Sequence, residues 1–128
     1  MKQVIQTDKA PLPNGCYSQA IKINNIVYLS GQLPMDPATL LLVKGDIKAQ
    51  MMQVFDNLRT VAKAAGGDLS AIVRLNVYLL DLSHMGTLNE LMAQYFVSPY
   101  PARTTIGVLA LPKDAKVEID AIMILPSI

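Results

Sequence analysis

Tyr100-Pro101-Ala102-Arg103-Thr104-Thr105-Ile106-Gly107-Val108, followed after a short connection by Lys113-Asp114-Ala115-Lys116-Val117-Glu118-Ile119-Asp120, is the most informative part of the chain. Both runs are rich in Val, Ile and Thr, as strands require, and Leu111-Pro112-Lys113-Asp114 supplies turn chemistry between them. Pro101 removes a backbone donor just ahead of Arg103, which suits the entry to a strand. Two strands lying side by side would let Arg103 and Glu118 face one small cleft. A guanidinium at the base of a cleft matches the two oxygens of a carboxylate, and a nearby glutamate can hold water or carry protons. The plainer alternative is that Arg103 is a solvated edge residue and Glu118 an outward-facing strand position, because most charged side chains simply face water.

Working back from that stretch, Val4 and Ile5 suggest a short first strand, and Ala10-Pro11-Leu12-Pro13-Asn14-Gly15 is a loop. Ile21-Lys22-Ile23 alternates, Asn24-Asn25 is a hairpin turn, and Ile26 to Leu33 is the returning strand, ended by Pro34. Gly31 in that strand either admits a ligand close to the main chain or marks a bulge. Asp46 caps a helix in which Ile47, Met51, Val54, Phe55, Leu58, Val61, Ala62 and Ala65 recur at helical spacing until Gly66-Gly67. Met35, Met51 and Met52 read as core filler.

Leu69 to Val73 leads into a strand through Leu80, which Asp81-Leu82-Ser83 ends. A second helix follows from about His84 to Phe96, with Met85, Leu88, Met92, Tyr95 and Phe96 toward the sheet and Asn89 on its flank. The order strands, helix, strand, helix, strands predicts an α+β domain, a mixed sheet with two helices on one face, over residues 1–128.

Composition narrows the function. The 128 residues form one domain of common size. Hydrophobic residues make up 52% before glycine is counted, more than a small monomer readily hides, so subunit interfaces are the expected outlet. The net charge of +1 comes from scattered basic residues, with two Phe and five Tyr available for stacking, which disfavours nucleic acid. The longest apolar run is too short to span a membrane, and the first eight residues resemble no signal or transit peptide. The expected setting is cytoplasmic.

One cysteine excludes an internal disulfide, and one histidine excludes a histidine-cluster metal site. A serine triad would need His84, which lies at a helix start away from any nucleophile signature and reads as an ordinary surface residue. Nucleotide-binding glycine motifs are absent, so neither metal nor cofactor is expected.

Pro101-Ala102-Arg103-Thr104-Thr105 together with Leu111-Pro112-Lys113-Asp114-Ala115-Lys116-Val117-Glu118-Ile119-Asp120-Ala121 resembles the C-terminal signature of the RidA (YjgF) family of reactive intermediate deaminases. Gly15-Cys16-Tyr17-Ser18-Gln19-Ala20, Val27-Tyr28-Leu29-Ser30-Gly31-Gln32-Leu33-Pro34, and Asn89-Glu90 ahead of Tyr95-Phe96 agree in order and spacing. The resemblance implies a chorismate-mutase-like fold and a homotrimer with clefts at the subunit boundaries. It also implies hydrolysis of small 2-imino acids, released by pyridoxal-phosphate dehydratases, to 2-keto acids and ammonia. On that resemblance Arg103 anchors the substrate carboxylate and Glu118 positions water. Tyr17, Ser30, Gly31, Asn89 and Thr105 complete the pocket.

Three departures stand out. Cys16 replaces the family's usual proline and reads as a small buried residue rather than a redox-sensitive one. Gly107 stands where many relatives carry a longer polar residue, and Thr39-Leu40-Leu41-Leu42 stands where family members usually carry a Gly-acid turn, which places an apolar patch on a surface loop. The competing function is a non-catalytic module binding small carboxylates or protein partners through the same Arg103. Endoribonuclease activity is a third reading, disfavoured by the sparse basic surface.

Overall fold

The computed structural model describes residues 1–126. Six strands form one mixed sheet: β1 (Gln3–Ile5), β2 (Ala20–Ile23), β3 (Ile26–Gln32), β4 (Ile72–Leu79), β5 (Ala102–Gly107) and β6 (Val117–Ile124), in the spatial order β1-β2-β3-β6-β4-β5. Helices α1 (Ile47–Ala64) and α2 (Met85–Tyr95) join β3 to β4 and β4 to β5. Both lie on one face of the sheet, α1 against β3 and β6 and also against α2. The α+β expectation therefore holds.

Local chemistry sets the boundaries. Asn24 takes a positive φ of 54° in the β2–β3 turn, where an Asn is tolerated better than most side chains. Asp46 caps α1 by accepting a hydrogen bond from the Ala49 amide at 3.0 Å. The chain leaves α1 through Gly66 at φ 97°, a conformation that suits glycine. Leu69–Ala71 forms a 3₁₀ turn instead of extended chain, so β4 begins only at Ile72. Asp68 accepts from the Leu69 amide there, and this local cap wins over strand propensity.

β6 takes the centre of the sheet, antiparallel to β3 on one side and β4 on the other. Val117, Ile119, Ala121 and Met123 alternate along it and are all buried under the helices. Its start is tied to α1, because the buried Gln50 side chain accepts from the Lys116 amide at 3.0 Å. Asn57 does the same for the segment after β3, donating to the carbonyls of Leu33 and Met35. Phe55, Met51 and Leu58 of α1 fill the space between helix and sheet. Met52 turns outward and is exposed, so only Met35 and Met51 of the first three internal methionines serve the core.

β5 is an edge strand, parallel to β4. The β4-α2-β5 crossover carries β5 to the outside, while β6 pairs with the other edge of β4. The last two strands are consequently not neighbours: β4 lies between them. No helix among the described residues is long and apolar enough to cross a membrane.

Candidate functional site

The intervening strand decides where the two charged candidates go. Directly paired residues on adjacent strands share a face. Arg103 pairs with Leu75, a buried residue of the helix-covered face, whereas Glu118 pairs with Tyr78 on the open face. Within one chain Arg103 and Glu118 thus sit on opposite faces of the sheet and line separate clefts. The expectation of adjacent strands and one intramolecular cleft is corrected by the strand order.

The first cleft, about 440 Å³, lies between α2 and the start of β5 and is lined by Asn89, Met92, Ala93, Tyr100, Pro101 and Arg103. Arg103 donates from Nη1 to Oδ1 of Asn89 at 2.8 Å. One guanidinium donor is used in this way, and among the described residues no carboxylate pairs with it. Asn89 therefore acts as the support that aims Arg103. Thr105, two residues along β5 on the same side, carries a buried hydroxyl with no hydrogen-bond partner. An unpartnered buried hydroxyl beside an arginine with spare donors is a ready polar contact for a ligand.

The second cleft, about 780 Å³, opens on the other face. Tyr17, Ser30, Gly31, Lys113, Glu118 and Asp120 are among its walls. Pairing between β3 and β6 shifts register between Leu29 and Gln32, so Ser30-Gly31 is a bulge. A Cβ at Gly31 would overlap the Glu118 carboxylate. Both readings of this glycine thus meet: the bulge is there, and the missing side chain makes room for Glu118.

The Ser30 hydroxyl donates to the Ser18 carbonyl at 2.6 Å, which pins the bulge to the incoming loop and leaves the oxygen free to accept. Tyr17 is exposed, its hydroxyl accepting from the Asn14 amide at 3.3 Å. Cys16 is exposed as well, against the expectation of a small buried residue, because the loop turns it away from the core at Gly15. Burial first, and the charge of Asp120 second, push the Glu118 carboxyl above the usual glutamate range.

Beside Glu118 runs a polar ladder that the motif reading passed over. Arg74 donates to Thr104 Oγ1 at 2.6 Å and to Asn76 Oδ1 at 3.2 Å. Asn76 Nδ2 donates to Asp120 Oδ1 at 2.8 Å, and the Tyr78 hydroxyl donates to Asp120 Oδ2 at 2.9 Å. That hydrogen bond, with burial and the neighbouring charges of Asp120 and Glu118, raises the Tyr78 pKa. Strand alternation alone places Glu118 and Asp120 on one face, a signal present in the sequence. Pro112 and Lys113 line the same cleft, and Lys113 and Asp114 both take a left-handed φ of 59° there.

The apolar patch is also located. Leu40 and Leu41 are exposed, and Leu40 adopts a left-handed φ of 61°. Gly107 faces Leu82, whose Cγ would lie 3.2 Å from an added Cβ. Its lack of a side chain therefore accommodates that leucine.

Comparison with known proteins covers nearly the whole chain. The profile of the Endoribonuclease L-PSP family matches residues 7–125. A protein of Dermatophagoides farinae named 2-iminobutanoate/2-iminopropanoate deaminase is 41% identical over 124 residues, spanning 97% of this chain and 97% of its own length. The crystal structure of RidA from Psychrobacter sp. PAMC 21119 is similar at 50% identity and TM-score 0.93, over 96% of this chain and 99% of that one. E. coli TdcF, solved with bound serine, is similar at 32% identity and TM-score 0.91, over 97% of this chain and 99% of that one.

Proposed function

Because the chain belongs to the Endoribonuclease L-PSP family, the RidA (YjgF) proteins, we propose that it is a deaminase that hydrolyses 2-imino acids such as 2-iminobutanoate and 2-iminopropanoate to 2-keto acids and ammonia. The single observation that carries the reading is a pair of complementary half-sites. One has a guanidinium with unused donors beside an unpartnered hydroxyl; the other has a half-buried carboxyl whose pKa burial raises above the usual glutamate range. Neither half-site is sufficient for the reaction. A closed homotrimer in which the Arg103 edge of one copy meets the Glu118 cleft of the next makes a complete site at each boundary. The exposed apolar side chains of the open face, Val4, Ile23, Tyr28 and Ile124, supply the surface for such an assembly.

In that site Arg103, aimed by Asn89, grips the substrate carboxylate, and Thr105 offers its hydroxyl to the same end of the molecule. The main chain at Ser30-Gly31 and the ring of Tyr17 border the reacting carbon. The reactive form of Glu118 is the acid, which burial and the Asp120 charge favour. It gives its proton to the imine nitrogen as water adds to carbon 2, and takes one back from the added water to leave a carbinolamine. It then protonates the amino group, the carbon–nitrogen bond breaks with its electron pair leaving on ammonia, and the hydroxyl proton returns to Glu118 as the carbonyl forms. Water and imine are consumed, keto acid and ammonia released, and Glu118 ends as it began. Imines hydrolyse readily in water, so orientation and proton transfer are the contributions required. The reading implies a cytoplasmic enzyme supplied by pyridoxal-phosphate dehydratases.

The family description also raises RNA cleavage. Lys113 is the one cation among the described lining residues of the Glu118 cleft, which gives little for a phosphate backbone to follow.

Mixing tests the composite site. Arg103→Ala and Glu118→Gln proteins are each expected to be inactive in a coupled assay that generates 2-iminobutanoate from threonine. Unfolding and reassembling them together should restore about a quarter of the clefts to full complement, since each then needs one particular subunit on either side. Absence of recovery in correctly assembled mixtures would remove the composite site. Turnover by either variant alone would remove that residue's role.

A further inference from the structure

The ladder beside Glu118 has a chemical consequence of its own. Asn76 uses its Oδ1 on Arg74, so its Nδ2 is committed to Asp120; Tyr78 donates to the other Asp120 oxygen. Both oxygens of Asp120 therefore accept hydrogen bonds, which fixes the orientation of its carboxyl group. Glu118 lies two residues away on the same strand face, about 7 Å along it, partly buried against the bulge at Gly31. With Asp120 held by two donors and Glu118 partly buried beside it, the Asp120 charge adds to burial in raising the Glu118 pKa.

We propose that Asp120 is the positioning residue of this site: clamped by Asn76 and Tyr78, it fixes a negative charge beside Glu118 and so tunes its proton transfer. The role rests on the deaminase reading only in that Glu118 is there the proton carrier. Other groups facing Glu118 are Tyr78 from β4, Ser30 and Gly31 from β3, Tyr17 from the preceding loop and Lys113 from the last turn. Lys113 works against Asp120, and so does an incoming Arg103 at a subunit boundary. The charge of Asp120 is what stands against them. Burial of Glu118 acts in the same sense as Asp120 and survives its removal, so the effect of losing Asp120 is partial.

The test is carboxyl-carbon NMR titration of the assembled protein, beside the pH dependence of kcat/KM for imine hydrolysis. Asp120→Asn keeps the shape and removes the charge. The Glu118 midpoint should move to lower pH, and the alkaline limb of kcat/KM should move with it, so the loss of activity is larger in weakly alkaline than in weakly acidic solution. Asp120→Glu restores a charge on the same face and should return both toward their original positions. An unmoved Glu118 midpoint in Asp120→Asn overturns the inference. A moved midpoint with an unmoved activity limb upholds the coupling and overturns Glu118 as the proton carrier.

Should Asp120→Asn fail to assemble, the unaltered protein still decides. The Asp120 carboxyl resonance should follow the Glu118 midpoint as its neighbour loses a proton, and resonances that ignore each other overturn the coupling.

Discussion

On the helix-covered face Val117, Ile119, Ala121 and Met123 of the central strand are all buried, while the residues between them, Glu118, Asp120, Ile122 and Ile124, keep access to solvent. The same eight residues build a finished core on one side and an unfinished surface on the other. The unfinished side divides again, with apolar Val4, Ile21, Ile23, Ile26, Tyr28, Ile122 and Ile124 toward one edge of the sheet. Toward the other edge stand Arg74, Asn76, Tyr78, Asp120 and Glu118. The candidate site residues stand where packing ends: the polar ladder borders the exposed apolar surface, and Arg103 lies at the edge of the covered face.

The sharpest way to break this comparison is at Arg103. Arg103→Ala should remain folded and assembled yet lose about 2–5 kcal/mol of transition-state stabilisation, roughly thirty-fold to several thousand-fold in kcat/KM. Unchanged turnover of 2-iminobutanoate would leave the covered-face cleft without a role.

Next come two residues of β6 from opposite sides. Ile119→Ala opens a cavity under α1 and should lower stability by about 2–5 kcal/mol in urea denaturation. Ile124→Asp, on the open face and 43% exposed in one chain, should leave the subunit fold intact by circular dichroism but shift the protein to monomer in light scattering. Equal unfolding by both would mean that the faces do not differ as described.

Glu118→Gln gives a smaller effect with a defined sign. Burial and Asp120 raise the folded-state pKa of Glu118 above its unfolded value. The folded form then binds the proton more tightly, and stability is lost as pH rises from the unfolded pKa through the folded one. Removing the charge should stabilise the chain at neutral pH and give no such gain in acid. A gain that persists at low pH would assign the effect to something other than ionisation.

Smallest is Leu40→Gly, which relieves a left-handed leucine in the loop after β3. A gain of about 0.5–1 kcal/mol is expected, the strain relieved being partly offset by the greater freedom of glycine in the unfolded chain. A loss would show that Leu40 packs usefully.

Much of this was legible in the chain. Asp46, Asn24, Gly66 and the helical spacing from Ile47 to Ala65 specify local structure through contacts within a few residues, and each appears where the pattern puts it. Alternation along Val117 to Ile124 was open to a similar reading, since strand period alone divides its side chains between two faces. The repeating family blocks named Tyr17, Ser30, Gly31, Asn89, Arg103, Thr105 and Glu118 together, but spacing along a chain carries no information about which strand slips between two others. The insertion of β4 between β5 and β6, the separation of Arg103 from Glu118 and the clamp on Asp120 all depend on contacts between residues far apart in sequence. Local preference determines what each segment becomes; only the joint burial of all segments in one sheet decides what stands beside it.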